Sequence, residues 1–207
     1  MKLFLASEAK NPLSITKLKE YVGGFEGKTI AYIPTAANGE GWGSWKEGGS
    51  WNTVNTLGAK IDLVQIEDHI YDDVAKLIKG SDIVWFAGGM SGYLLYWMRR
   101  VKLDLQIRDI LNDGTLYVGS SAGSVAACKD QTISQWYIGE EEPGADCIPG
   151  LGLVDFEIYP HYEDNLYDEV RKRFKGKKLY LLKNGEEIIV ENQKIEVIGE
   201  ERIITNN

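Results

Sequence analysis

Histidine and cysteine are scarce in this 207-residue chain, with two of each. Cys128 and Cys147 lack the spacing of a metal or redox motif, which argues against a zinc centre or a dithiol active site. No metal and no cofactor is therefore expected, and a reducing, cytoplasmic setting is the plain inference. A disulfide between the two stays open, although nothing in the spacing asks for one. Positive charge is also in short supply: 23 Lys and Arg face 31 Asp and Glu, a net charge of -8. Nucleic-acid binding needs a concentrated basic surface, so that class of partner is not expected. The one basic cluster, Arg171-Lys172-Arg173 with Lys175, Lys177 and Lys178, reads as the solvated end of a helix. Long apolar runs are missing too, so no membrane span is expected. The opening Met1–Ser7 is too short for a signal peptide. With no low-complexity tract, repeat or linker, a single domain over residues 1–207 is the economical reading.

What is present is an alternation of strand-like and helix-like segments. Apolar runs at Lys2–Ala6, Thr29–Ile33, Lys60–Ile66, Asp82–Ala87 and Thr115–Val118 predict strands of the buried type. Between them, Ser14–Tyr21, a segment near Trp51–Leu57, Tyr71–Ile78 and one long region over Ser91–Leu111 predict helices. This pattern implies an α/β fold, a doubly wound, mostly parallel sheet with helices on both faces. Thr35–Gly49 reads as a loop, and Asp130–Gly150 as a long polar excursion. Val154–Tyr159 predicts a further strand and Asp164–Phe174 a helix. The tail, Leu179–Leu182, Glu186–Glu191, Lys194–Ile198 and Arg202–Thr205, predicts short strands. Its Asn184-Gly185 pair is the strongest two-residue hairpin signal in the chain.

The stretch with most chemical content is Tyr117 to Val125. Gly119-Ser120-Ser121-Ala122-Gly123 fits G-x-S-x-G, the pattern of a serine held on a strained turn between a strand and a helix. A strand-to-helix turn with small residues for packing fits the same letters. If Ser121 is a nucleophile it needs a base. His69, in Glu67-Asp68-His69, reads as a surface-loop residue. His161 follows a predicted strand through Pro160, on the rim where α/β sites are built. Gly88-Gly89 closes the strand preceding the Ser121 strand. Its backbone N–H lies near that of Ala122 if the two strands are neighbours, and two such donors make an oxyanion hole.

These segments resemble a known family. Ile33-Pro34-Thr35-Ala36, Phe86-Ala87-Gly88-Gly89, Gly119–Gly123, and Gly150-Leu151-Gly152-Leu153 running to Pro160-His161-Tyr162 are similar, in that order, to the dipeptidase E (aspartyl dipeptidase) family. Those serine peptidases are related to cyanophycinases and share the class I glutamine amidotransferase-like fold, a flavodoxin-like three-layer sandwich. The resemblance implies a C-terminal β-hairpin, Ser121 as nucleophile, His161 as base, and Gly89 and Ala122 as oxyanion donors. It implies a small peptide substrate, a dipeptide with N-terminal aspartate or a related residue, for a monomer or homodimer. The chain departs from the pattern where the family places its third acid: Asn184 stands there, with Glu186 and Glu187 nearby. Asp130 lies close to a second acid position without aligning to it. Gly88 and Arg171 are the candidate substrate contacts, Arg171 because an aspartyl side chain calls for a cation. The loop Asn38–Trp51, with Trp42, Trp45 and Trp51, and the pair Trp136-Tyr137 read either as pocket walls or as packing over the sheet. Two other functions fit the same letters. One is an α/β-hydrolase esterase with Asp130, Asp146 or Asp155 as its acid. The other is an inactive relative that binds a peptide or amino acid.

Overall fold

Five apolar runs become five adjacent parallel strands because both of their faces are covered. The computed structural model describes residues 1–41, 44–71 and 73–206. Strands β1 (Lys2–Ala6), β2 (Thr29–Ile33), β3 (Lys60–Leu63), β4 (Ile83–Phe86) and β5 (Leu116–Ser120) lie in the order β3-β2-β4-β5-β1. Two antiparallel strands, β8 (Glu187–Glu191) and β9 (Lys194–Ile198), extend the sheet beyond β1. A smaller sheet of β10 (Ile203–Thr205), β7 (Lys178–Leu181) and β6 (Glu157–Tyr159) stands beside it.

Side chains alternate between two cores, as the period of a strand requires. Leu3, Leu5, Ile33, Phe86 and Tyr117 face one cluster, and Phe4, Ala6, Tyr32, Trp85 and Val118 face the other. The second face is covered by α1 (Pro12–Val22) and α3 (Gly49–Val54), through Leu18 and Val54. Asn11 caps α1 by accepting from the Leu13 amide at 3.0 Å, Pro12 opens it, and Gly23 ends it in the left-handed conformation. The first face carries α4 (Asp73–Ile78), α5 (Ser91–Arg100), α6 (Leu103–Asn112) and α7 (Ala122–Ala127). One-turn helices α2 (Thr35–Asn38) and α8 (Thr132–Gln135) sit in the two long loops, and α9 (Tyr167–Arg173) packs on the small sheet.

The structure differs from the sequence reading at five places. Ser91–Leu111 is two helices, broken where Lys102 takes φ 59°. A single helix over that span would run about 30 Å along a sheet whose strands are about 17 Å long, so its far end would bury nothing. Val154–Tyr159 is a strand only at Glu157–Tyr159. Thr35–Gly49 contains α2 and a 3-10 turn at Trp45–Glu47 as well as irregular chain. Asn184-Gly185 joins β7 of the small sheet to β8 of the large one and is not a hairpin loop. The hairpin is formed instead by Asn192-Gln193 between β8 and β9, with φ of 50° and 70°, both positive as a primed turn requires. The helix expected over Tyr71–Ile78 begins at Asp73; Asp72, like Trp42, falls outside the described residues.

Of the three aromatic residues named in the first long loop, two are packed on the sheet, and Trp45 also lines the larger of two cavities at the site. Trp45 and Trp51 meet edge-on at 5.0 Å and both lie against Tyr32. Trp136 and Tyr137 stack on Tyr159 at 6.0 and 4.8 Å.

One buried acid carries a stability prediction. Glu187 is fully buried between β8 and α1. Its Oε2 accepts from the Ser14 hydroxyl at 2.7 Å, and Oε1 has no partner. Burial pushes this carboxyl up to about 7. The folded state therefore holds a proton that the unfolded state releases from near pH 4.5. Stability is fully retained below that value and falls as pH rises through 7. Glu187→Gln is expected to flatten this decline by on the order of 2 kcal/mol between pH 5 and 8.5. Unfolding midpoints across that range read it, and parallel wild-type and variant curves would refute it.

Candidate active site

Three hydroxyls cluster where β5 runs into α7, and the backbone decides which is available. Ser120 Oγ accepts from the Ala9 amide at 3.0 Å, and Ser124 Oγ donates to the Ala6 carbonyl at 2.7 Å. Ser121 Oγ has no partner among the described residues. Its backbone is held at φ 49°, ψ -110°, with its amide on the Ala6 carbonyl at 3.1 Å. Such a conformation is strained for a residue with a side chain and persists only where its surroundings impose it. The flanking glycines permit it. A Cβ at Gly119 would sit 2.7 Å from the Ser124 amide, and one at Gly123 would sit 2.5 Å from the Phe86 carbonyl oxygen.

Because Phe86 pairs with Gly119, the chain beyond β4 runs alongside the turn. A Cβ built on Gly88 would lie 3.4 Å from that of Ser121. Gly89 has φ 133°, and its Cα faces the start of α2 so closely that a Cβ would be 2.2 Å from the Ala36 carbonyl. Met90 then donates to that carbonyl at 2.9 Å. Gly89 and Ala122 line one cavity beside Ser121, and neither backbone amide has an acceptor among the described residues.

His161 follows β6 with φ 51°. Its amide donates to Ser7 Oγ at 2.7 Å, and its Nδ1 lies 2.6 Å from Asn184 Oδ1. Ser7 Oγ lies 3.2 Å from the same oxygen. With Asn184 Oδ1 facing both groups, the proton order follows. Ser7 Oγ accepts from the His161 amide, so its own proton goes to Asn184 Oδ1. That oxygen is then an acceptor for Nδ1–H, which leaves the lone pair of His161 on Nε2. The Asn184 turn is set by pairing: Leu182 donates to Tyr159 and accepts from Tyr162, at 3.0 and 2.9 Å. Glu186 braces it by accepting from the Lys183 amide and from Arg202. Glu186 and Glu187 are thus engaged elsewhere, and none of Asp130, Asp146 and Asp155 bonds to His161. The Ser–His–Asn chain order, with the third member after the histidine, also departs from the Ser–acid–His order of α/β-hydrolases.

Two cavities of about 240 and 370 Å³ meet at Ser121, Gly89, Glu40 and Glu140, which line both. His161, Ser120 and Gly88 line only the larger. Ala122, Val125, Ile133 and Tyr137 line only the smaller. No hydrogen bond joins Ser121 to His161. Contacts of this kind are commonly long until substrate is bound. Arg171 is corrected here: it donates to the Asn206 side chain at 2.7 Å and lines neither cavity. His69 stays in its loop, away from both. Sequence reasoning missed Ser7, whose role depends on a partner 154 residues away. It also missed Glu142, whose carboxylate accepts from the Gly92 and Tyr93 amides at 3.0 Å each, tying the second long loop to the start of α5.

A strained serine with a free hydroxyl, two unengaged amides and a histidine of defined tautomer, on a doubly wound sheet, define a serine-type hydrolase. The chain matches peptidase family S51 over residues 3–198, and it belongs to that family. It is 26% identical to the uncharacterized peptidase Lmo0363 of Listeria monocytogenes, over 93% of this chain and 96% of that protein. It is 29% identical to Peptidase E of Nostoc sp., over 83% of this chain and 65% of that one. A crystal structure from Listeria monocytogenes EGD-e, assigned by name to Peptidase E, superimposes with a TM-score of 0.79 at 22% identity. It covers 95% of this chain and 97% of its own. No helix among the described residues is long and apolar enough to cross a membrane.

Proposed function

We propose that this chain hydrolyses short peptides through an acyl-enzyme on Ser121. Ser121 Oγ attacks the scissile carbonyl while His161 Nε2 takes its proton. The Gly89 and Ala122 amides receive the developing oxyanion, and His161 returns the proton to the leaving amine. Water, deprotonated by the same nitrogen, then attacks the acyl carbon; the bond to Ser121 Oγ breaks, and His161 returns the proton to that oxygen. Asn184 holds the imidazole by Nδ1–H, and Ser7 holds Asn184. The observation that carries this reading is the hydrogen-bonded chain Ser7–Asn184–His161 beside Ser121, whose hydroxyl is the free one of the three at the turn. Two cavities of small-molecule size, one on each side of Ser121, favour short peptides over folded chains.

An N-terminal aspartate is the finer expectation from the family, and the charge around Ser121 speaks against it. Lys10 is the lone lysine or arginine lining either cavity among the described residues, and it pairs with Glu8 at 3.4 Å. A fluorophosphonate probe tests the reading: mass spectrometry should find the adduct on Ser121, alongside turnover of dipeptides. An adduct on another serine, or turnover without reaction at Ser121, would sink it.

An amide oxygen orients an imidazole but carries no full negative charge to stabilise imidazolium. Asn184→Asp is therefore expected to raise kcat by roughly tenfold and to move the acid limb of the pH–rate profile upward. The new carboxylate keeps both donors that now meet Oδ1. An unchanged limb would show that the residue does not act through His161.

A further inference from the structure

We propose that the smaller cavity is the acyl-side pocket and selects a basic side chain, of the lysine or arginine type. This assignment rests on the chemistry proposed for Ser121 and His161. The direction follows from where the proton goes. His161 hands it to the leaving amine, so the leaving residue occupies the cavity that His161 lines, and the acyl residue occupies the other.

That other cavity has an apolar wall and an acidic mouth. Val125, Ile133 and Tyr137 form the wall, and the Tyr137 hydroxyl is engaged on the Pro160 carbonyl at 2.8 Å. Glu141 lines this cavity alone, and Glu40 and Glu140 stand where it opens into the larger one, lining both. None of the three carboxylates is in an ion pair or accepts a hydrogen bond among the described residues. Glu142 differs, since the Gly92 and Tyr93 amides already engage it. Among the described residues no lysine, arginine or histidine lines this cavity. A flexible aliphatic stem ending in a cation matches both features, with methylenes on the apolar wall and charge at the carboxylates. An aspartyl side chain meets repulsion there without a compensating donor. Desolvation, and next the charge of Glu140, raise the Glu40 carboxyl, with Lys10 opposing. A cation placed between the two acids relieves that repulsion.

The test compares Lys-Leu, norleucyl-Leu and Asp-Leu as substrates. Norleucine keeps the aliphatic stem and removes the charge. In the wild-type protein kcat/KM is expected to favour Lys-Leu over norleucyl-Leu by about tenfold or more, with Asp-Leu the poorest. The ratio should shrink as salt is added. In Glu40→Gln/Glu140→Gln it should approach one, and Glu140→Lys should improve Asp-Leu relative to Lys-Leu. Thermal unfolding of each variant checks that it is folded. If Ser121 takes the probe and Lys-Leu is no better than norleucyl-Leu, cleavage of neither included, the cation pocket is wrong and the nucleophile stands. If Ser121 takes no probe and no dipeptide is cleaved, both readings fall.

Discussion

Replacing Ser121 with alanine is expected to lower kcat for peptide hydrolysis by on the order of 10⁴ to 10⁶ and to abolish fluorophosphonate labelling. The size follows from the loss of the covalent route, because the remaining groups can only polarise the carbonyl and bind the peptide. KM should move little, since the hydroxyl contributes to bond making more than to ground-state binding. Stability should hold or improve slightly. Ser121 Oγ bonds to no described residue, and the flanking glycines that permit the φ of 49° are unchanged in the variant. Ser120→Ala and Ser124→Ala serve as contrasts. Each removes a buried hydroxyl that holds backbone, so each should cost stability on the order of 1 kcal/mol while labelling at Ser121 persists. Retained hydrolysis in Ser121→Ala would remove the nucleophile from the scheme altogether.

Gly89→Ala is the second large effect, and it acts through backbone. The added Cβ would lie 2.2 Å from the Ala36 carbonyl oxygen, 2.3 Å from its carbon and 2.5 Å from the Ala37 amide nitrogen. All three are main-chain atoms, so no side chain can swing aside. The φ of 133° is also closed to residues with a Cβ. The segment must therefore shift and take its amide with it. Loss of one oxyanion donor costs about 10² to 10³ in kcat. Gly80→Ala supplies the comparison. There φ is 87° and nothing lies within 4 Å of a Cβ. It should lower stability by about 1 kcal/mol and leave kcat alone. A Gly89→Ala enzyme with wild-type kcat would show that its amide does not face the oxyanion.

The parallel strands, the elbow and the rim histidine were legible because each is a local pattern. A fully buried strand is a short apolar run, and a strained serine turn needs glycine two residues before and after. The Asn184-Gly185 pair shows where local reading stops. By itself the dipeptide signals a hairpin, yet its flanking strands pair with β6 and β10 on one side and with β1 and β9 on the other. The turn is thereby released from hairpin duty and carried to His161. Arg171 fails for the converse reason. A helix after the histidine is close in sequence, but α9 packs on the small sheet and aims this side chain at Asn206.

By itself, then, the sequence determined the fold class, the serine turn and the pairing of that turn with a glycine-rich neighbour. Those depend on sterics within a few residues and on the burial period. Only the tertiary structure decided what orients His161, which hydroxyl is free and what charge lines the cavities. Each of these joins segments far apart in the chain, Ser7 with His161 and Asn184, Glu40 with Glu140. Spacing along a sequence carries no information on which distant polar groups share one hydrogen bond or one cavity wall.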